Sequence, residues 1–313
     1  MCVSFRERMK PEQDQLALGR VRRRTKGFYY LFGPEGDLVE CKAKGSLFKT
    51  SRYDNQIAVG DEVLYLPQAS GEVGLIHSIQ PRKSFLSRAR VGIEAEQVIA
   101  ANVDRLILVQ AARDPKPRAN FLFRMLIAAS RGQVEPILLF TKSDLMDEGE
   151  LDEFLAPFKA LDLEIHFTSN KGTGDEALFQ KLLQGKISVL SGPSGVGKSS
   201  LLNRLYPGLN IKVGEVSDRT KKGSHTTTSA EMHQVAQSTY VIDTPGIREF
   251  GFWGLDAMNL HEFFPGLSIY QGQCHHRDCR HLTEPGCAAK QALEAGELHR
   301  AIYAAYQSIL REL

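Results

Sequence analysis

Gly192-Pro193-Ser194-Gly195-Val196-Gly197-Lys198-Ser199 follows an apolar run, Ile187–Ser191, and opens a segment with helical spacing, 198–206. A glycine-rich turn between a strand and a helix lets successive backbone N–H groups converge on phosphate oxygens. Lys198 is then placed to reach β- and γ-phosphates. The Ser199 hydroxyl, with Ser200 beside it, is placed to meet Mg²⁺. About 45 residues further on, Asp243-Thr244-Pro245-Gly246 ends a second apolar run, Thr239–Ile242. Asp243 suits a magnesium contact, and the Gly246 N–H suits the γ-phosphate. These parts specify a nucleoside triphosphate but no base.

Two further loops supply the base. Thr141-Lys142-Ser143-Asp144 and Thr168-Ser169-Asn170-Lys171 each end an apolar run. A carboxylate at Asp144 accepts from the N1–H and the 2-amino group of guanine together. Adenine offers neither donor there, and a buried carboxylate left unpaired disfavours it. Lys142 is expected to lay its stem along the base, and Ser169 to bring a backbone N–H towards the guanine O6. Between the phosphate loop and Asp243 lies a polar stretch, Lys212–His233, with Gly223-Ser224-His225-Thr226-Thr227-Thr228 at its centre. A threonine there, Thr227 by preference among the three, completes a magnesium shell only when the γ-phosphate is present, which makes the loop a switch. The position where a Ras-type enzyme carries its water-orienting glutamine is Ile247, so hydrolysis needs another group, and His225 is the nearest candidate.

A second kind of chemistry lies near the C-terminus. Cys274, Cys279, His281 and Cys287 place three thiolates and an imidazole within fourteen residues. Four N/S ligands suit a closed tetrahedral Zn²⁺ site of structural type. His275 and His276 are competing ligands by spacing. Cys2 and Cys41 are isolated and read as ordinary thiols. The tail beyond has helical spacing through Leu293, Leu298, Ile302, Tyr306, Ile309 and Leu313, and the metal is expected to anchor it.

The elements that must position these residues alternate between strand and helix patterns from about residue 98 to 250. That alternation implies a parallel sheet covered on both faces, with ligands at the carboxyl ends of its strands. The motifs occur in an unusual order, with the base loops before the phosphate loop. An ordinary GTPase runs the other way, so the chain enters its fold halfway round, a circular permutation that leaves the pocket intact. Upstream, five candidate strands (18–24, 27–31, 38–43, 62–66 and 74–79), divided by turns such as Gly33-Pro34-Glu35-Gly36, fit a small barrel, OB-like or SH3-like. Arg22-Arg23-Arg24-Thr25-Lys26 is followed by Phe28-Tyr29-Tyr30, the cation and aromatic mixture that holds phosphate backbones and stacks bases. The alternative makes Phe28 and Tyr30 core residues and leaves only Tyr29 outside.

Composition agrees. A hydrophobic fraction of 42% and a charged fraction of 24% belong to a soluble globular chain. The net charge of +2 divides into +6 over residues 1–90 and −4 over the remainder, which points a polyanion at the N-terminal module. With no membrane-length apolar run and no signal-type N-terminus, a cytoplasmic monomer is expected.

These motifs, in this order and between these modules, resemble the RsgA (YjeQ, EngC) family of small ribosomal subunit biogenesis GTPases along nearly the whole chain. The resemblance implies an N-terminal OB-like barrel (1–85), a central α/β circularly permuted P-loop GTPase (86–255) and a C-terminal zinc-binding helical domain (256–313). It implies GTP, Mg²⁺ and one Zn²⁺ as cofactors, with the 30S subunit and its 16S rRNA as partners and stimulators of hydrolysis. It further implies that His225 does the work of the missing glutamine and that Cys274, Cys279, His281 and Cys287 hold the zinc. Two positions depart from the family pattern: Thr141 stands for the usual Asn, and Ser224 stands where Arg often precedes the His. The competing readings are an ATP-dependent P-loop enzyme, and a nucleic-acid-binding protein in which nucleotide is a structural switch only.

Overall fold

The computed structural model describes residues 15–25, 27–48, 57–68, 72–89, 95–169, 175–209, 230–243 and 253–313. Its first five strands are β1 (Ala17–Thr25), β2 (Phe28–Phe32), β3 (Leu38–Ala43), β4 (Glu62–Leu66) and β5 (Gly74–Ile79). They close into a barrel in the order β1-β2-β3-β5-β4, with β3 and β5 its parallel pair. That order is the OB arrangement and decides between the two barrels the sequence allowed. Side chains alternate across each strand, so Val21, Leu31, Cys41, Val63, Tyr65 and Ile76 fill the interior. The same alternation reverses the alternative reading of the aromatic run. Tyr29 shares the inner face with Leu31 and is buried, while Phe28 and Tyr30 point outward and are only partly covered.

A hairpin that the sequence reading did not anticipate follows, β6 (Phe85–Ala89) and β7 (Glu96–Ala101). It is fastened to the barrel. The Ala101 N–H donates to the Val59 carbonyl at 2.8 Å, and Asn102 Nδ2 donates to the Gly60 carbonyl at 3.1 Å. The fully buried Asp61 carboxylate accepts from Arg82 Nε at 2.7 Å, Arg82 Nη2 at 2.8 Å and the Ala58 N–H at 2.7 Å. A buried carboxylate is tolerable when its lone pairs are satisfied in this way.

The central sheet runs through β8 (Arg105–Ala111), α1 (Ala119–Gly132), β9 (Glu135–Thr141), α2 (Asp152–Lys159), β10 (Glu164–Phe167), α3 (Asp175–Leu183), β11 (Ile187–Ser191), α4 (Lys198–Leu205), β12 (Glu231–Ala236) and β13 (Thr239–Asp243). Strand order is β10-β9-β8-β11-β13-β12, parallel except for β12. The chain starts mid-sheet at β8, winds outward to β10, returns to β11 beside β8 and then winds the other way. Right-handed crossovers place helices on opposite faces when the winding reverses. Accordingly α1 and α2 pack on one face through Leu122, Phe123, Leu155 and Phe158, and α3 and α4 on the other through Phe179, Leu182, Leu201 and Leu202.

Strand β12 begins inside the polar stretch 212–233, where the sequence analysis named no strand. Its burial pattern shows one buried side chain, Met232, in six residues. An edge strand held by a single neighbour needs little apolar pattern, so polarity hid it. The tail beyond forms α5 (Leu260–Phe263), α6 (Ala288–Ala295) and α7 (Arg300–Leu310). Gly296, at φ 79°, ends α6 in the left-handed region and turns the chain into α7. This unit packs on α1, where Phe264 stacks on Phe123 at 5.6 Å and meets Tyr306 edge-on at 5.3 Å. Leu313, read as the last residue of the apolar stripe, is instead exposed. Among the described residues no helix is long and apolar enough to cross a membrane.

Candidate nucleotide site and metal centre

The winding reverses between β8 and β11. In an open α/β sheet that switch point opens a crevice at the carboxyl ends of the strands. The glycine-rich loop leaves β11 there. Gly192 passes so close to the Val109 carbonyl of β8 that any Cβ would strike it. Gly197 stands at φ 91°, where a side chain is strained, and leads into α4. Between them Pro193, Ser194 and Gly195 form the turn, and Val196, fully buried, pins it to the apolar layer under α4. Lys198 Nζ donates to the carbonyls of Gly192 and Pro193 at 2.7 and 2.8 Å. The ammonium therefore lies along the inside of its own loop. Ser199 and Ser200 follow in the first turn of α4.

The first base loop leaves β9, two strands from β11, about 10 Å away at ordinary strand spacing. Thr141 is fully buried, and its hydroxyl donates to the Val196 carbonyl at 2.5 Å, with the Gln110 carbonyl farther off at 3.2 Å. A hydroxyl has one proton, so the shorter contact is the bond. The base loop is thereby tied to the phosphate loop. Lys142 turns the chain at φ 57°, and its ammonium donates to the Asp114 carbonyl. The Ser143 N–H donates to the Thr168 carbonyl at 3.2 Å, which joins the two base loops. Ser169 Oγ donates to Asp144 Oδ1 at 2.6 Å. The sequence reading gave Ser169 a backbone role; here its side chain also holds the carboxylate that would read guanine.

On the other side of β11, Asp243 ends β13 and lies in register opposite Glu231 of β12. Asn170, Ser224, His225, Thr227, Gly246 and Ile247 lie outside the described residues.

The cysteine cluster assembles. Among the described residues, the group that could hold a metal ion is Cys274, Cys279, His281 and Cys287, with ligand atoms all within 4.8 Å of one another. His281 Nδ1 lies 3.4, 3.7 and 3.3 Å from the three Sγ atoms in chain order, and Cys274 Sγ lies 4.0 Å from Cys287 Sγ. A zinc tetrahedron with ordinary bond lengths has edges of about 3.6–3.8 Å, so this donor set fits the ion. Burial raises the Cys279 and Cys287 thiols and lowers His281. Burial thus disfavours the charged form of each of these three groups, and a bound cation is what would offset the charge of the two buried cysteines, Cys279 and Cys287, as thiolates, with the half-buried Cys274 beside them. Helix α7 holds the ligand loop from below. Tyr303 Oη donates to the His281 carbonyl at 2.6 Å and Tyr306 Oη to the Arg280 carbonyl at 2.7 Å. The Glu284 carboxylate accepts the N–H groups of Arg280, Leu282 and Thr283. His275 and His276 are exposed and meet edge-on, with ring centroids 4.9 Å apart, outside the cluster.

The family profile described as RsgA GTPase matches residues 79–253. This chain belongs to the RsgA GTPase family. A small ribosomal subunit biogenesis GTPase RsgA of Flavobacterium johnsoniae is 36% identical over 304 residues, covering 93% of this chain and 92% of that one. The solved structure of YjeQ from Thermotoga maritima superposes with a TM-score of 0.77 at 30% identity, covering 95% of this chain and 98% of its own. That of YloQ, a circularly permuted GTPase, gives 0.71 at 26% identity, covering 97% of each. As a member of this family the chain is a GTPase.

Sequence reading missed two groups of residues in this GTPase. Arg204 of α4 donates from Nη1 to the Ser169 carbonyl at 3.0 Å, and a lone arginine late in a helix carried no signal. The basic run of β1 was read as one surface, but it divides. Arg22 Nη2 turns to Glu231 of β12 at 3.0 Å, and Arg20 lies over the Tyr240 ring at 5.3 Å. Arg23 lies over Tyr30 at 3.9 Å, and Lys42 over Phe28 at 4.8 Å. Arg22 also lies over Phe32 at 5.8 Å, so among the described residues the second pair of contacts forms the cation–aromatic face that does not turn to β12 or β13, beyond the register shift between Val21 and Arg23.

Proposed function

We propose that this chain hydrolyses GTP in the late maturation of the small ribosomal subunit, that it binds 16S rRNA in the 30S particle, and that the particle stimulates its hydrolysis. The observation that carries the reading is the bond from Thr141 to Val196. It joins a loop ending in a guanine-type carboxylate, Asp144, to a phosphate loop carrying Lys198, although the two are far apart and inverted in chain order. Residues 1–85 serve as the RNA-binding barrel, 86–255 as the GTPase and 256–313 as the zinc-bearing helical unit. The face with Arg23, Tyr30, Lys42 and Phe28 offers stacking surfaces beside cations, which suits single-stranded RNA.

In the pocket, Asp144 accepts from the guanine edge and Lys142 covers the base, with Ser169 and Asn170 completing that end. The N–H groups of the loop from Gly192 to Gly197 and the Lys198 ammonium hold the phosphates. Ser199, Thr227 and Asp243 hold Mg²⁺, which supplies charge neutralisation at the transferring phosphoryl group. The Gly246 N–H meets the γ-phosphate, and His225 orients the attacking water. Cys274, Cys279, His281 and Cys287 hold one Zn²⁺ of structural type. The protein works in the cytoplasm as a monomer.

The test is substitution of the base-reading carboxylate. Asp144→Asn should transfer preference from GTP towards XTP, measured by competition against fluorescently labelled GDP. Unaltered guanine preference refutes the assignment. Multiple-turnover phosphate release should rise when 30S subunits are titrated in. A flat titration refutes the ribosomal part alone.

A further inference from the structure

The helix that follows the phosphate loop reaches both ends of the pocket. Its first residue is Lys198 and its seventh is Arg204, about 9 Å further along the axis. That distance is close to the separation of the strands that deliver the phosphate loop and the base loop. Arg204 Nη1 donates to the Ser169 carbonyl at 3.0 Å, and Ser169 Oγ donates to Asp144 Oδ1 at 2.6 Å. The contact closes a path from α4, through the second base loop, to the carboxylate that reads guanine. Arg204 is half-buried, and a charged donor on a partly screened carbonyl makes a stronger bond than a neutral one.

We infer that Arg204 is a positioning residue for guanine specificity. It fixes the Ser169 backbone from the phosphate-loop helix, so that the Ser169 hydroxyl holds Asp144 in the orientation that accepts both guanine donors. At Thr168 the second base loop is tied to the first, whose Ser143 N–H donates to the Thr168 carbonyl at 3.2 Å. The Thr168 N–H is held by the Phe140 carbonyl at 2.8 Å, but beyond Thr168 the described part of the loop is Ser169 alone. A carboxylate must be oriented to accept two donors at once, and a small rotation leaves one of the guanine donors without its partner. A single helix would thereby set the distance between phosphate and base recognition, and α4 becomes a ruler for the nucleotide.

This inference rests on reading the pocket as a guanine site, and the experiment separates the two. Inosine diphosphate keeps the N1–H and O6 of guanine but lacks the 2-amino group. The ratio of GDP to IDP affinity therefore reports how well Asp144 is placed, and it is insensitive to the fraction of folded protein. Competition against labelled GDP would be run on the full chain, on Arg204→Ala and Arg204→Met, and on each of these with Ser169→Ala. Arg204→Met keeps the aliphatic stem and the helix preference, so it stands in should the alanine variant fold poorly. Both variants should lower the GDP:IDP ratio roughly three- to tenfold, the worth of one hydrogen bond. Arg204→Lys should recover part of it. In the Ser169→Ala background the Arg204 changes should add little, because the path is already cut. An unchanged ratio in Arg204→Met overturns the inference, and so does an equal fall with and without the Ser169 hydroxyl. If the unaltered chain fails to prefer GDP over IDP and ADP, the guanine-site reading itself falls.

Discussion

At the scale of single residues, Thr141 ties two loops together through one hydroxyl. Its hydroxyl, fully buried, spans from the end of β9 to the Val196 carbonyl in the phosphate loop. Thr141→Val keeps the shape and removes the donor, which leaves the Val196 carbonyl unpaired in a buried place. Such a loss costs about 1–3 kcal/mol. The expected result is a lower melting midpoint together with GDP affinity weakened roughly tenfold. Thr141→Asn, which retains a donor, should come close to the parent. Calorimetric melts and labelled-GDP titrations read both. If the valine variant binds GDP as tightly as the parent, the tie does not hold the loop in place. The base-loop carboxylate teaches a second lesson. Asp144 was legible because a strand end delivers it, but its orientation depends on Ser169 and Arg204, whose contacts arise between loops distant in the chain. Sequence spacing carries chemistry within one loop and is silent on bonds between loops.

At the scale of elements, the parallel strands and their helices were readable because each has its own period. Ile187–Ser191 is buried at every position, and α1 buries Leu122, Phe123, Met125, Leu126 and Ala129 on one side. The missed elements were those whose partners supply the stability. Strand β12 buries one side chain, and the β6–β7 hairpin is held by Val59, Gly60 and the barrel rather than by its own pattern. The zinc unit lies between these cases. Its four clustered Cys and His residues were legible from spacing, but Cys279 and Cys287 belong to the same apolar cluster as Phe123 and Leu155, so the unit shares its core with the GTPase sheet. Removing the metal should therefore act beyond the ligand loop. After chelation, amide exchange should rise first in the ligand loop and in α6 and α7, then in α1, while barrel strands keep their protection. Protection of α7 that survives complete zinc removal, checked by metal analysis, shows that aromatic packing alone seats the helix.

At the scale of the whole molecule, the barrel does not touch the GTPase at a neutral place. Its strand β1 meets β12 through the Arg22–Glu231 ion pair, and Phe32 packs on Tyr240 of β13 at 5.6 Å, with Arg20 over the same ring. Glu231 follows Thr226–Thr228 by three residues in the chain and pairs across the sheet with Asp243. The contact thus joins the proposed RNA-binding surface to the strand flanked by both candidate magnesium-sensing segments. A half-exposed ion pair contributes at most about 1 kcal/mol to stability, so its removal should leave folding nearly untouched. Its effect belongs to coupling instead, since a coupling energy appears as a difference between ligand states. Arg22→Met and Glu231→Gln should each shrink the ratio of 30S affinities between the GTP-analogue and GDP forms, by roughly threefold if the pair carries about half a kcal/mol to 1 kcal/mol of coupling. The charge swap, Arg22→Glu with Glu231→Arg, should restore part of that ratio, because the pair is rebuilt with its ends exchanged. Sedimentation of the labelled chain with 30S subunits in both nucleotide states measures it. A ratio that stays constant across all the variants would place the coupling elsewhere, and would leave the Phe32–Tyr240 packing as the route between the barrel and the nucleotide.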